Sequence, residues 1–183
     1  DDLAVREIAE STKGKKITFG FSEGCDIQAR NLKSRGYGGI DFDLKYGREE
    51  RAVRFPFLTE SFVSNLLAAL GVAFAFSLPL AEVEKSIREL KPFANRGILL
   101  RLGHGLMMID DSYNSNPKAL EAALRNLSRL PAKRKVAVLG DMLELGEATS
   151  SFHKEAGRQV AFSGWDILVT VGWAGPKYQS TKT

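Results

Sequence analysis

The feature that most constrains the fold is a polar run, DDSYNSNP, at residues 110–117. It directly follows the short apolar stretch 106–109 and precedes a pattern of apolar residues typical of an amphipathic helix. The pattern predicts a strand that delivers a polar loop to the N-terminus of a helix. In open α/β sheets ligands bind at this edge, because the loops that leave the strands meet there. The sequence therefore places a candidate binding site at residues 110–117.

The second half of the chain repeats this alternation of strand and helix. Its predicted elements are a strand at 106–109, a helix at 117–129, a strand at 136–139, a helix at 151–162 and a strand at 167–171. Asn116 suits the N-cap of the first helix, and Pro117 suits its first position. Alternating strands and helices favour a parallel, Rossmann-like sheet, so we expect an α/β fold.

The first half of the chain reads as mixed strands and helices. Apolar and polar residues alternate over 40–44 and 53–57, which predicts a hairpin with Pro56 at a strand end or edge. The other predicted elements are a helix at 3–10, a strand at 17–21, a long helix at 60–77 and a helix carrying Val83, Ile87 and Leu90 on one face. A domain boundary is expected near 92–95.

Composition narrows the class of protein. The 183 residues fit one large or two small domains, with 44% hydrophobic and 26% charged residues as in ordinary globular proteins. The apolar runs fall short of the roughly 20 residues that span a membrane, and a single cysteine suits a reducing cytoplasm. The net charge of +4 suits anionic ligands such as nucleotides, although a solvated basic surface is the preferred explanation.

The ends of the sequence suggest a piece of a longer polypeptide. The chain begins without methionine, and its last residues, 177–183, follow closely on a strand-like segment. No G-x-x-x-x-G-K-[ST] phosphate loop occurs in the 183 residues. Neither His104 nor His153 has a neighbour at the spacing of metal ligands, so no metal ligand is predicted.

Each candidate site residue also has a structural explanation. The run 110–117 can form a polar loop that caps its own helix, Arg96 can lie in a surface turn, and Asn65 can hydrogen-bond within the packing of its helix. From spacing alone these structural explanations are preferred. Asp141 and Glu144 can bind a cationic amine or a metal, or be solvated loop residues, and spacing does not decide between these roles.

Several motifs together resemble the Mur ligases. They are the run 110–117, the run VLGDMLELGE at 138–147, His153 with Gly157, the helix segment SNLLAA at 64–69, and the turn Asn95-Arg96-Gly97, which is similar to a G-R turn of the family. The motifs follow the family's order from about Ile17 to Gly172. Within the family they are most similar to the ligases that add D-alanyl-D-alanine.

The resemblance implies an ATP-dependent amide ligase of bacterial peptidoglycan synthesis. Such an enzyme joins D-alanyl-D-alanine to UDP-N-acetylmuramoyl-tripeptide through an acyl phosphate, with ATP and Mg²⁺ as cofactors. It also implies a cytoplasmic protein that is monomeric at full length. The sequence has no basic stripe interleaved with aromatic residues, so no nucleic-acid partner is expected. Residues 1–94 would form the end of a central ATP-binding domain, and residues 95–183 the first part of a Rossmann-like C-terminal domain.

The resemblance also assigns roles to single residues. Carried over by position, Asn65 would contact adenine, and Arg96 and Asp111 would hold the ribose and phosphates of ATP. The catalytic residues implied near the acyl phosphate and the incoming amine are Tyr113, Asn114 and Ser115. The phosphate loop and most ligands of Mg²⁺ would lie before residue 1, so we expect the 183-residue chain alone not to catalyse ligation.

Other functions stay open at this point. The chain can belong to another ligase of the superfamily, such as one that adds diaminopimelate or lysine, or a folylpolyglutamate synthase. The segment Ser112-Tyr113-Asn114 favours the D-alanyl-D-alanine type. A different class of explanation is a non-catalytic nucleotide-binding module, and a third is a truncated gene product that folds but binds nothing.

Overall fold

The computed structural model describes residues 3–173 and divides the chain into two compact units, the first ending at Lys91 and the second starting at Pro92. The sequence interpretation of residues 177–183 falls outside the described residues. Within the described part, no helix is long and apolar enough to cross a membrane. The assignment of the two halves to ATP-binding and C-terminal domains stays a prediction.

The first unit, as far as it is described, is a four-stranded sheet with three α-helices. The strand order is β1-β2-β3-β4; β1 and β2 are parallel, and the other neighbours are antiparallel. In chain order the elements are α1 (Leu3–Ser11), β1 (Phe19–Gly20), β2 (Ile27–Ser34), β3 (Ile40–Tyr46), β4 (Glu49–Phe55), α2 (Glu60–Ala75) and α3 (Leu80–Glu89). The strand predicted over 17–21 is thus only two residues long.

The hairpin of β3 and β4 confirms the predicted alternation. Ile40, Phe42 and Leu44 are buried, and Phe42 lies opposite the buried Val53 of β4. Pro56 directly follows β4. A proline is tolerated there because its missing N–H removes no hydrogen bond from the ladder.

Strand β2 is absent from the sequence-based prediction, and its polar residues explain why. Gln28 is only 2% exposed, and its side-chain amide donates to the carbonyl of Phe21 at 3.1 Å while its oxygen accepts from Arg30 Nε at 2.6 Å. Asn31 has a left-handed backbone with φ of 53°, and the register shifts between Arg30 and Lys33. Buried polar groups and a bulge together break the alternation that marks a strand.

Helix α2 packs its apolar face into the core of the first unit, as its spacing predicts. Leu66, Leu70 and Phe74 are buried, and the ring of Phe74 stacks on Tyr46 with 3.9 Å between centroids. Asn65, on the same helix, is exposed. Its amide is therefore not buried in the core that α2 packs against, and its role stays a prediction.

Helix α3 is shorter than its apolar pattern indicates. Val83 and Ile87 are buried, but Leu90 is 40% exposed and has an extended backbone, with φ of −60° and ψ of 138°. Because Pro92 follows so soon, the chain leaves the helical conformation before Leu90 can reach the buried face.

The second unit, in its described part, contains a hairpin and a parallel strand pair with two α-helices. Its elements are β5 (Ile98–Gly103), β6 (Leu106–Asp110), α4 (Pro117–Leu127), β7 (Val136–Leu139), α5 (Thr149–Phe162) and β8 (Ile167–Thr170). The segment Leu102-Gly103-His104-Gly105 predicts a hairpin tip at His104, and the structure confirms it with left-handed backbone from Gly103 to Gly105. The strand predicted at 106–109 pairs antiparallel with β5, and the parallel ladder joins β7 to β8.

Among the described residues, the β7–β8 pair is buried on one face and exposed on the other. Ala137 and Leu139 of β7 are buried in a cluster with Leu124 of α4 and with residues of α5. Val138, which alternates with them along β7, is 63% exposed, and other valines beside it are also exposed. The exposed valine face, as we name it, consists of Val136, Val138, Val169 and Val171.

The start of α4 confirms the predicted cap. Asn116 has an extended backbone, and its side-chain oxygen accepts a hydrogen bond of 2.9 Å from the N–H of Ala119. Pro117 occupies the first helical position, where no N–H is needed. The sequence therefore sets both the start of α4 and the direction in which the polar loop enters it.

His153 forms a buried link between α5 and the loop that follows β7. Its side chain is fully buried, Nε2 accepts the N–H of Met142 at 3.1 Å, and Nδ1 lies 2.7 Å from the carbonyl oxygen of Thr149. Nδ1 must then carry the proton and donate to Thr149. Because α5 begins at Thr149, His153 lies in the second turn and not in the first turn that the sequence suggests.

We predict that His153→Ala destabilises the second unit by about 3 kcal/mol. The substitution leaves a cavity and removes the partner of the Met142 N–H, which is buried with it. Urea unfolding with hydrogen exchange at the Met142 amide measures the loss. The control is His104→Asn at the hairpin tip, where asparagine tolerates the left-handed backbone; equal losses in both variants would contradict a special role for His153.

Candidate functional site

Two loops of the second unit meet where β6 ends. Ile98, the first residue of β5, lies opposite Asp110, the last residue of β6. The N–H of Tyr113 donates a hydrogen bond of 3.0 Å to the carbonyl of Asn95. The turn before β5 is thereby fixed against the loop that follows β6.

The side chain of Asn95 adds two further links between these loops. Its Nδ2 lies 3.3 Å from Asp110 Oδ2 and 3.1 Å from Ser112 Oγ. The N–H of Ser112 in turn donates to Asp110 Oδ1 at 3.1 Å. Asn95 itself has a left-handed backbone, with φ of 61°. Its carbonyl and its amide group therefore both hold the loop.

Arg96 lies over the ring of Tyr113, with 3.8 Å between Cζ and the ring centroid. This is the geometry of a cation–π contact. Both residues are exposed, and Tyr113 keeps 66% of its surface accessible. The arrangement presents a cation and an aromatic face together to solvent.

The carboxyl of Asp111 lies beside this pair. Partial desolvation by the surrounding atoms raises the pKa of Asp111 above its ordinary value of 3.8, and the Asp110 charge adds to the rise. A hydrogen bond from the Gly97 N–H and the positive charge of Arg96 oppose it. Asp111 is thus a carboxylate with one backbone donor, a cation nearby and an open side.

The rest of the polar loop mainly satisfies itself. Asn114 Oδ1 accepts a hydrogen bond of 2.9 Å from the N–H of Ser115, and Asn116 Oδ1 accepts one from the N–H of Ala119. Pro117 has no N–H. The helix start still has its dipole, but its own cap already uses one of the amides that an anion would need. Residues 114–117 thus satisfy part of their own hydrogen bonding, while the roles that the resemblance implies for Asn114 and Ser115 stay predictions.

Three of the six predicted site residues form one group. Arg96, Asp111 and Tyr113 lie around the end of β6, and Asn114 and Ser115 follow in the same loop. The sixth, Asn65, belongs to the first unit and is exposed there. The roles that the family resemblance implies for these residues stay predictions.

The role of Asp141, which the sequence left open, is structural in part. Its Oδ2 accepts the N–H of Trp173 at 2.9 Å. Gly172 has a φ of 114°, which other residues rarely adopt, and a Cβ added there would lie 2.6 Å from Oδ2 of Asp141 and displace it. Asp141 thus joins the loops that follow β7 and β8. Glu144 is exposed and has a left-handed backbone, with φ of 61°.

Among residues 3–173 no group of three or more His, Cys, Asp or Glu side chains is placed to hold a metal ion. The organising residue that sequence reasoning missed is Asn95, which it treated only as part of a turn. The available signal was an asparagine directly before Arg-Gly. Asparagine is one of the few residues that accept a left-handed backbone.

The grouped residues suit a ligand that carries both anionic and hydroxyl groups. A guanidinium pairs with phosphate or carboxylate oxygens, and a strand-end carboxylate accepts hydrogen bonds from sugar hydroxyls, as in dinucleotide-binding folds. The exposed ring of Tyr113 offers a surface for stacking. A nucleotide has all three of the complementary features.

Sequence comparisons identify relatives of this chain. Residues 95–182 match the family model of the Mur ligase, glutamate ligase domain. The UDP-N-acetylmuramoyl-tripeptide–D-alanyl-D-alanine ligase of Bacillus subtilis is 31% identical over 159 residues, which cover 86% of this chain and 34% of that protein. The Escherichia coli ligase of the same name is 28% identical, covering 89% and 36%. The chain thus spans about a third of the length of these relatives.

Solved structures share the fold. The crystal structure of MurF from Acinetobacter baumannii superposes with a TM-score of 0.86 at 29% identity, covering 96% of this chain and 37% of that one. The Thermotoga maritima MurF ligase in complex with ADP gives 0.85 at 23% identity, covering 100% and 41%. The predicted α/β fold is confirmed. With motifs, family model and fold in agreement, the chain belongs to the Mur ligase family.

Proposed function

We propose that this chain is part of an ATP-dependent ligase that joins D-alanyl-D-alanine to UDP-N-acetylmuramoyl-tripeptide in peptidoglycan synthesis. The observation that carries the proposal is the group of Arg96, Asp111 and Tyr113 at the end of β6, in a chain whose curated relatives bear that name. The proposal includes a cytoplasmic location, where ATP is available and the single cysteine stays reduced.

ATP supplies the phosphoryl group that activates the substrate carboxylate in such a reaction. In the proposed site Asp111 accepts hydrogen bonds from the ribose hydroxyls, and Arg96 offsets the negative charge of the phosphates. Tyr113 limits the freedom of the Arg96 side chain through the cation–π contact. Tyr113, Asn114 and Ser115 would face the acyl phosphate and the incoming amine. The complex of a protein of the same fold with ADP supports the choice of nucleotide.

Mg²⁺ belongs to the proposal as the usual partner of ATP phosphates. The described residues alone do not form a site for it. No role in binding Mg²⁺ is therefore assigned to Asp110 or Asp111, and the part that these residues play is limited to hydrogen bonding and charge.

Nucleotide binding is tested by calorimetry of the 183-residue chain with ATP, with and without Mg²⁺. We expect weak binding by the wild type and a loss of about tenfold or more in Asp111→Ala, because a charged acceptor for two hydroxyls is removed. The matched control is Asp43→Ala in the first unit. Equal binding by the wild type and Asp111→Ala would contradict the proposed role of Asp111.

The choice of amine acceptor is tested on the complete gene product with UDP-N-acetylmuramoyl-tripeptide and ATP. We expect release of inorganic phosphate with D-alanyl-D-alanine and little with diaminopimelate, lysine or glutamate, since a site built for one acceptor leaves polar groups unpaired with another. A preference for one of the other amines would assign the chain to a different ligase of the family.

Asp111 and Asp26 have pKa values shifted in opposite directions, so we predict opposite effects of pH on stability from these two carboxyls. The raised pKa of Asp111 means that the folded state binds more protons, so the free energy of unfolding falls as pH rises from 3.8 through the folded pKa. Asp111→Asn removes that fall and does not destabilise the unit at neutral pH. Hydrogen bonds from the Thr18 N–H and hydroxyl, each 2.7 Å, lower the pKa of Asp26. The stability that the ionised Asp26 carboxylate contributes is therefore present above pH 3.8 and is lost as the pH falls through the lowered pKa of the folded state.

Carbon NMR of the side-chain carboxyls measures both values directly. Asp111 is expected to titrate above 3.8 and Asp26 below it. Asp26→Asn serves as the matched variant of opposite sign, because it should destabilise the protein at neutral pH. An Asp111 carboxyl that titrates below 3.8 would contradict its partial desolvation.

A further inference from the structure

We propose that Asn95 is a positioning residue for the nucleotide site, holding Arg96 over Tyr113 and beside Asp111. The proposal rests on the proposed function for the identity of the ligand. The placement of Arg96 itself rests on the geometry of the second unit alone.

The backbone of the turn does not by itself require asparagine. A φ of 61° is available to glycine without steric cost, and asparagine is the next most tolerant residue. Glycine would keep the carbonyl of residue 95 as the acceptor for the Tyr113 N–H. What asparagine adds is the side-chain amide, which donates towards Asp110 Oδ2 and Ser112 Oγ.

These bonds hold the loop on both sides of Asp111. Asp110 precedes it, and Ser112 and Tyr113 follow it; all three are linked to Asn95. Asp111 itself is left to the Gly97 N–H and to the charge of Arg96. The amide of Asn95 also places a donor against the Asp110 carboxylate, whose charge otherwise acts unfavourably on Asp111.

Arg96 follows Asn95 directly, so the direction in which its long side chain leaves the backbone is set by the same turn. An exposed arginine has many rotamers, and fixing them costs conformational entropy when a ligand binds. A turn that already holds Arg96 against the Tyr113 ring pays part of this cost before the ligand arrives. The effect of Asn95 should therefore appear in ligand affinity and in the order of the Arg96 side chain.

The test compares Asn95→Gly with the wild-type 183-residue chain by two measurements. The first is the ring-current shift of the Arg96 Nε–H resonance, with Tyr113→Leu marking its position when no ring is present. The second is the dissociation constant for ATP. In Asn95→Gly we expect the resonance to move towards the Tyr113→Leu position and the affinity for ATP to fall about fivefold.

Asn31→Gly is the matched control. Asn31 also has a left-handed backbone, and its Nδ2 donates to Asp43 Oδ2 at 2.8 Å, but it lies in β2 of the first unit. This variant should lose a similar local hydrogen bond yet keep both the Arg96 shift and the affinity for ATP. An equal loss of affinity in Asn31→Gly would overturn the proposal, because the effect would then not be specific to the site.

The remaining outcomes are also decisive. If Asn95→Gly retains the Arg96 shift, Asn95 does not place Arg96 and the proposal is overturned. If the shift is lost while ATP binds as before, the placement serves no nucleotide and the proposal is again overturned. If the wild-type chain binds no ATP, the proposed nucleotide site of Arg96, Asp111 and Tyr113 is refuted and the proposal with it, whereas the ligase function is judged separately by the amine-acceptor assay on the complete gene product.

Discussion

The candidate site depends on a backbone conformation that few side chains accept. The left-handed conformation of Asn95 turns the chain so that its carbonyl meets the Tyr113 N–H and its side chain meets Asp110 and Ser112. An ordinary residue at this position would meet a steric penalty and would lack the donor. The pairing of β5 with β6 brings the turn before β5 close to the loop after β6. The hydrogen bonds of Asn95 then fix the orientation of the loop relative to the turn.

Two carboxylates at strand ends of the second unit are used in different ways. Asp141 accepts the Trp173 N–H, next to Gly172, whose left-handed backbone favours glycine. Asp111 is left partly desolvated with a raised pKa, which lowers the stability of the folded state at neutral pH. Ionisable groups with perturbed pKa values cluster at functional sites. The raised pKa therefore marks Asp111 as a candidate for ligand binding, whereas Asp141 connects two loops.

Local patterns predicted what local physics determines. The alternation in β3 and β4, the apolar spacing of α2 and the Asn116 cap all depend on residues within one element, and each is confirmed. Strand β2 depends on partners elsewhere in the chain, and the sequence pattern did not predict it. In the site the sequence pointed to Arg96, Asp111 and Tyr113 as single residues. The bonds of Asn95 to Asp110 and Ser112 join positions 15 and 17 apart, so only the fold could show them.

The exposed valine face has a practical consequence for studies of folding. Fluorescent dyes that bind apolar surface are used to detect loosely packed states, because such states expose hydrophobic groups that a well-packed domain conceals. Here Val138 and Val171 are 63% and 59% exposed in the folded chain, next to Val136 and Val169. The folded protein itself therefore offers the dye a surface, and a fluorescent signal has to be compared with near-ultraviolet circular dichroism before it is taken as a sign of lost tertiary structure.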